Sequence, residues 1–400
     1  MLFSEVIGHP ELKAVLANMV KQNRLSHALL FLGKEGSGAL PLAMAFAQYV
    51  VSIPPAAPAV PDLFGNISPL SGADAGGWIS PEDIHSSPAF QRAAQLMHPD
   101  LHFTFPVIPK KSGDKPVSDD YIADWRNFIQ TYPYGNVYDW LQNIGADNKQ
   151  GNITASECDR IHHQMNLKSF ESETKVLLIW MPEYLKKEGN KLLKLIEEPP
   201  PHSLIILVAE NEEDILPTII SRCQLIRVPP LETRDIELAL IQRAGADPEK
   251  AAQIAGIAEG NYREALQLMQ QADSDWNQLL REWLNASIKQ DASAQLTFAD
   301  EMNKMGREKQ KHLLRYFIHL LELSIRVRIL GADLVPMVEA EIDFTARINK
   351  ISSVSQQEAM VTELDKAIYY IERNANAKML FQALSIKLFY IIQQKSLILI

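Results

Sequence analysis

The feature that most limits what this chain can fold into lies between His27 and Val51. A short apolar run, HALLFLG (His27 to Gly33), is followed by Lys34-Glu35-Gly36-Ser37-Gly38. The segment ALPLAMAFAQYVV then continues with apolar residues at helical spacing. An apolar run this short, with turn residues on both sides, reads as a strand buried on both faces of a parallel sheet. A strand, a glycine-rich turn and a helix in that order make the first βα unit of an α/β nucleotide-binding core.

The turn lacks what phosphate chemistry requires. A working phosphate loop wraps backbone N–H groups around the phosphates, then supplies a Lys for the β- and γ-phosphates and a Ser or Thr for magnesium. Gly33 and Gly38 have the required four-residue gap, with Gly36 between them, but Ala39 and Leu40 stand in the Lys and Ser/Thr positions. Lys34 lies at the wrong end of the loop to substitute. Alone, such a loop is also what any tight strand-to-helix turn would use. The magnesium carboxylates fail in parallel. VLLI (Val176 to Ile179) is followed by Trp180-Met181-Pro182-Glu183 rather than by an Asp-Glu pair. Glu183, past the strand end and behind a proline, reads as a solvated loop acid. The two losses agree on a degenerate site (Gly33, Gly36, Gly38, Ala39, Leu40) with no nucleotide cofactor.

The α/β pattern recurs downstream. HPDLHFTFPVI reads as a second strand and SDDYIADWRNFIQTY as a helix that Ser118 caps. KVLLIWM and SLIILVA read as strands around the helix NKLLKLIEE, which Pro199, Pro200 and Pro201 terminate. ILPTIISRCQLIRV adds a short helix and another strand. Residues 52–98 are dense in Pro, Gly, Ala and Ser and read as a surface excursion. Beyond Pro229 the strand signals fade into short helices and then long amphipathic ones. In HLLRYFIHLLELSIRV, Leu313, Phe317, Leu320, Leu321 and Ser324 trace one helix face. At 400 residues the chain is too long for one core. The expected architecture is a parallel-sheet α/β domain over 1–230, with an insertion at about 52–155. A helical lid over 231–272 and an all-α domain over 273–400 follow.

Composition removes other classes. An apolar share of 46% and a charged share of 22% exclude a disordered or fibrous chain. With 49 acidic against 39 basic residues, the net charge of −10 argues against a protein that grips nucleic acid alone over a large surface. Two cysteines, Cys158 and Cys223, build neither a disulfide framework nor a four-cysteine zinc site. The opening MLFSEVIGHPELK is not a signal peptide, and no apolar run approaches about 18 residues, so a cytoplasmic protein without a membrane span is expected. His98, His102, His162 and His163 lack coherent partners for a metal. Trp125, Tyr132, Tyr134, Tyr138 and Trp140, near Lys110, Lys111 and Lys115, read as packing before they read as a nucleic-acid surface.

Ser221-Arg222-Cys223 admits two readings. The simpler is a surface arginine beside a buried thiol. The sharper is an arginine presented to a neighbouring subunit, where a planar, always-charged guanidinium stabilises a transferring phosphate.

FSEVIGHPELKAVL, RLSHALLFLGKEGSG, HPDLHF, GNKLLKLIEEPP, ILPTIISRCQLI, GNYREAL and NANAKMLFQAL occur in one order along the chain. In this set the sequence resembles the delta-prime subunits of bacterial DNA polymerase III clamp loaders, within the AAA+ superfamily. The resemblance implies a non-catalytic subunit that helps load the sliding clamp onto primer-template DNA, beside ATPase subunits and delta. It also implies that Arg222, with Ser221 and Cys223 around it, is a finger acting in trans, and that the C-terminal domain joins a collar. Arg263 falls at the family's nucleotide-sensing lid arginine; here a salt bridge is the expected role. Subunits of this type commonly carry a four-cysteine zinc module before the HPD segment, and residues 52–98 contain no cysteine. The competing readings are an active ATPase motor subunit, which Ala39 and Leu40 oppose, and an interaction scaffold outside replication, which retention of Arg222 opposes.

Overall fold

A computed structural model describes residues 1–54, 80–81, 83–111, 113–146, 150–270, 276–331, 335, 337, 339–373 and 375–394. Most of the Pro/Gly-rich excursion, 55–79, lies outside the described residues. The chain divides into two compact units, Met1–Met269 and Gln270–Ile400.

The first unit is built on five parallel strands: β1 (Ala28–Leu32), β2 (Leu101–Thr104), β3 (Lys175–Trp180), β4 (Ser203–Ala209) and β5 (Gln224–Arg227). Their order across the sheet is β2-β3-β4-β1-β5. Leu30 sits between Leu207 and Leu225, and Leu178 between Phe103 and Ile206. The helices around the sheet are α1 (Pro10–Lys21), α2 (Ala39–Ser52), α3 (Pro88–Ala94), α4 (Ile122–Thr131), α5 (Val137–Asn143), α6 (Ala155–Asn166), α7 (Leu193–Glu197) and α8 (Pro217–Ile220). Three more, α9 (Thr233–Ala244), α10 (Pro248–Ile257) and α11 (Tyr262–Gln270), follow β5.

Alternation along the strands sends successive residues to opposite faces. Leu29, Phe31, Leu178 and Ile206 face α2 and an aromatic cluster; Leu30, Leu177, Ile205 and Leu207 face a second core with Cys158, Ile161, Leu195 and Ile219. Both faces are covered, which is why these strands read as unbroken apolar runs. All of α2 is buried, as its Ala-rich, charge-free sequence permits. In the cluster, Trp125 stacks on Phe105 at 4.3 Å and meets Trp140 edge-on at 5.4 Å and Trp180 at 5.2 Å. Trp125, Tyr134 and Trp140 are therefore core, whereas Tyr132 is exposed.

Ser118 does not cap the helix as expected. It opens a 3₁₀ turn, Ser118–Tyr121, that precedes α4, and is fully buried. Its hydroxyl accepts from the Phe105 N–H at 3.1 Å, tying the turn to the chain leaving β2.

Asp100, buried just before β2, accepts from the N–H groups of Phe170, Glu171 and Ser172 at 2.6, 2.8 and 2.9 Å. Burial alone would raise its pKa, but these donors outweigh it and hold the carboxyl below its ordinary value. A depressed folded pKa gives stability that is present above the unfolded value, near 3.9, and lost as pH falls through the folded one. Asp100→Asn should destabilise by about 1.5–3 kcal/mol at neutral pH. Urea unfolding at neutral and acidic pH checks this, since the gap between variant and wild type should close in acid.

The second unit is all helical: α12 (Trp276–Ile288), α13 (Ala292–Met305), α14 (Arg307–Leu330), α15 (Glu339–Ile351), α16 (Val354–Glu372) and α17 (Ala377–Gln394). Its core gathers Trp283, Phe298, Phe317 and Phe381. Leu313, Phe317, Leu320, Leu321 and Ser324 of α14 are all fully buried, so the face drawn from the sequence is the one packed. Among the described residues no helix is long and apolar enough to cross a membrane.

Candidate functional site

After β1 the chain crosses to the far side of the sheet, returns through β3 and β4, and then places β5 on the other flank of β1. The carboxyl ends of β1 and β4 therefore flank the topological switch point, where open α/β sheets bind ligands. The glycine loop Gly33–Gly38 lies there and leads into α2, with Gly38 at the cap (φ 90°). The space that remains is a cavity of about 30 Å³, lined by this loop, Pro133–Gly135, Trp180–Met181 and Val208–Glu210. That is room for about one or two waters.

The chain's own side chains meet at this loop. Arg263, at the start of α11, is almost wholly buried. It donates from Nη1 to Glu35 Oε1 at 2.8 Å, and from Nε and Nη2 to the two oxygens of Asp139 at 2.5 and 2.7 Å. Asn136 donates to the other Glu35 oxygen at 3.0 Å. Tyr134 accepts from the Ile7 N–H at 2.7 Å and lies edge-on to Tyr262 at 5.0 Å. Its ring is 3.3 Å from where a Cβ on Gly38 would stand. His9 lies 2.7 Å from the Ser37 carbonyl, which can only accept, so Nε2 carries the proton. Two carboxylates thus face one guanidinium at the glycine loop.

The sequence reading placed Arg263 in a salt bridge but missed Glu35, Asp139, Asn136 and Asn261 as its surroundings. One signal was available: Glu35 puts an anion inside a loop meant to cradle anions. Gly36, at φ 69°, leaves no room for a side chain, because a Cβ there would stand 1.8 Å from Asn261 Oδ1 and 3.0 Å from its Cα. Gly36→Ala combines that overlap with a left-handed backbone. It should destabilise by about 2–4 kcal/mol, read by urea unfolding, and loosen Asn261–Arg263 towards proteases.

Glu183 is not a solvated loop acid. Its Oε1 accepts from the N–H groups of Glu210 and Asn211 at 2.7 and 3.0 Å, bracing the turn that leaves β4. Its Oε2 is buried without a hydrogen-bond partner, and burial raises its pKa despite those donors. The proline that carries Glu183 off the strand aims it back beneath β4.

The remaining candidates lie apart from this loop. Arg222 follows α8 with its side chain one-third exposed, donating from Nε to Glu197 Oε1 at 2.6 Å, and its Nη2 forms an ion pair with the same oxygen. Its Nη1 donates to the Thr218 carbonyl at 2.8 Å and to Ser221 Oγ at 3.3 Å. Cys223 is partly buried, which pushes its thiol up to about 11 and leaves it unreactive at neutral pH. His98 pairs with Glu171 at 2.8 Å, and His162 donates to the Lys191 carbonyl at 2.8 Å. Burial, with Lys175 and Arg160 nearby, holds His102 down to about 4. Among the described residues no three His, Cys, Asp or Glu side chains converge as a metal site would need.

The fold and the loop at its switch point define an α/β domain of the P-loop kind, followed by helices. Residues 80–232 match the family model described as "DNA polymerase III, delta subunit". The chain is similar to the delta' subunit of DNA polymerase III from Bacillus subtilis (strain 168), at 25% identity over 260 residues, 65% of this chain and 58% of that protein. It is 28% identical over 208 residues to the gamma subunit of Buchnera aphidicola subsp. Schizaphis graminum, covering 45% of this chain and 56% of that one. These alignments span somewhat over half the length of each relative. A solved gamma-subunit-related protein from Thermotoga maritima aligns over 94% of this chain and 98% of its own at 16% identity, with a TM-score of 0.39, too low to carry an argument.

Proposed function

We propose that this chain is a non-hydrolysing, delta-prime-type subunit of a DNA polymerase III clamp loader. It would work in the cytoplasm beside ATPase subunits and delta, helping to place the sliding clamp on primer-template DNA. Residues 231–272 serve as its lid and 273–400 as its share of the collar. The observation that supports this reading is the glycine loop, whose Glu35 is ion-paired to Arg263 and beside which Tyr134 packs, with a cleft of about 30 Å³ between them and the sheet. Ala39 and Leu40, both buried, offer neither charge nor hydroxyl to a phosphate. A chain with no site of its own gains no catalysis from Arg222, so the guanidinium acts on a neighbour's γ-phosphate. The similarity to delta' and gamma subunits supplies the assembly in which such a neighbour exists.

The test is reconstitution. The tagged full chain, co-expressed with the other clamp-loader subunits of its source, should co-elute with them at fixed stoichiometry. Omitting it should abolish clamp loading. Elution alone, with clamp loading intact in its absence, would overturn the proposal.

A further inference from the structure

Arg222, as the chain stands, is not free to grip a phosphate. A guanidinium has five N–H donors. Glu197 takes the Nε donor and lies in ion-pair contact with Nη2, while the Thr218 carbonyl and Ser221 Oγ accept from Nη1. What remains lies on Nη2. A bidentate phosphate takes two parallel N–H groups from one edge of the guanidinium, and each edge that offers Nη2 also uses Nε or Nη1, so it must displace at least one of these partners. Thr218 contributes only a backbone oxygen and Ser221 only a long contact. Glu197 is the charged partner, and keeping it in place would put a carboxylate beside an arriving phosphate. Both side chains are substantially exposed, 33% and 45%, so the exchange needs no unpacking of the core.

We propose that Glu197, at the end of α7, is the positioning residue that holds Arg222 in reserve and hands it over when a neighbour's nucleotide arrives. This rests on the trans-acting reading of Arg222 given above. The Glu197 carboxylate competes directly with the phosphate for the guanidinium. Because exposed ion pairs are weak, the competition sets a threshold rather than a block, worth about a two- to fivefold change.

The measurement is ATP hydrolysis by the reconstituted clamp loader, with clamp and primed DNA, as a function of ATP concentration. Glu197→Gln keeps the shape and removes the charge; it should raise kcat/KM for ATP about two- to fivefold. The gain should shrink at high salt, which screens the wild-type pair. Glu197→Ala should do at least as much, whereas Glu198→Gln, which removes the same charge one residue on, should change nothing. In the double variant with Arg222→Ala the gain should vanish. A merely structural loss at Glu197 would lower activity, not raise it. If Glu197→Gln equals or falls below wild type while Arg222→Ala is impaired, this proposal is wrong and the trans-acting reading stands. If Arg222→Ala itself equals wild type, both fall.

Discussion

Arg222→Ala should cut the DNA- and clamp-stimulated ATPase of the reconstituted assembly while leaving folding intact and assembly largely so. Fingers of this kind supply about 10³–10⁵ in rate at the site they serve. In a multi-site assembly only one site loses its finger, so the whole-complex rate should fall by less. Folding should survive because the guanidinium's partners, Glu197, Ser221 and the Thr218 carbonyl, lie on an exposed surface where such a pair is worth about 0–1 kcal/mol. Arg222→Lys should rescue poorly, since a point charge cannot reproduce the planar fork. Steady-state hydrolysis at saturating ATP is the readout. A wild-type rate for Arg222→Ala there would make it an ordinary surface arginine.

The largest stability effect should come from Trp125→Ala. Trp125 is fully buried and its ring touches Phe103, Phe105, Phe128, Trp140 and Trp180. Its indole N–H has no hydrogen-bond partner, so the loss is one of packing alone. Truncating a buried aromatic of this size removes about 3–5 kcal/mol, a large share of a typical domain stability of about 5–15 kcal/mol. The substitution should also reach the site, because Trp180 ends β3 on the cavity wall. Urea unfolding monitored by circular dichroism would measure it. A change under about 1 kcal/mol would mean that the cluster repacks freely.

The sheet was legible because β1, β3 and β4 are buried on both faces, and double burial leaves an unbroken apolar run in the sequence. The buried face of α14 was legible from its 3.6-residue period. Ser118 was misplaced because a hydroxyl before an acidic run fits both a cap and the start of a 3₁₀ turn; only contact with Phe105 separates them. The ion pairs at the glycine loop were the hardest to see. Glu35 and Arg263 are 228 residues apart, and Asp139 and Arg263 are 124 apart, so no local pattern announces their meeting. Glu183 misled for a related reason. A proline after a strand suggests departure into solvent, whereas here it turns the carboxylate under Glu210 and Asn211.

The central claim is that the chain has no working nucleotide site of its own, and a calorimetric titration of the full chain with Mg-ATP tests it most directly. With the Arg263 ion pairs and Tyr134 in place, no saturable binding should be seen up to about 1 mM nucleotide, equivalent to less than about 4 kcal/mol of binding free energy. Magnesium-dependent, stoichiometric binding with Kd near about 1 μM would contradict it, and would return the chain to the class of ATPase subunits.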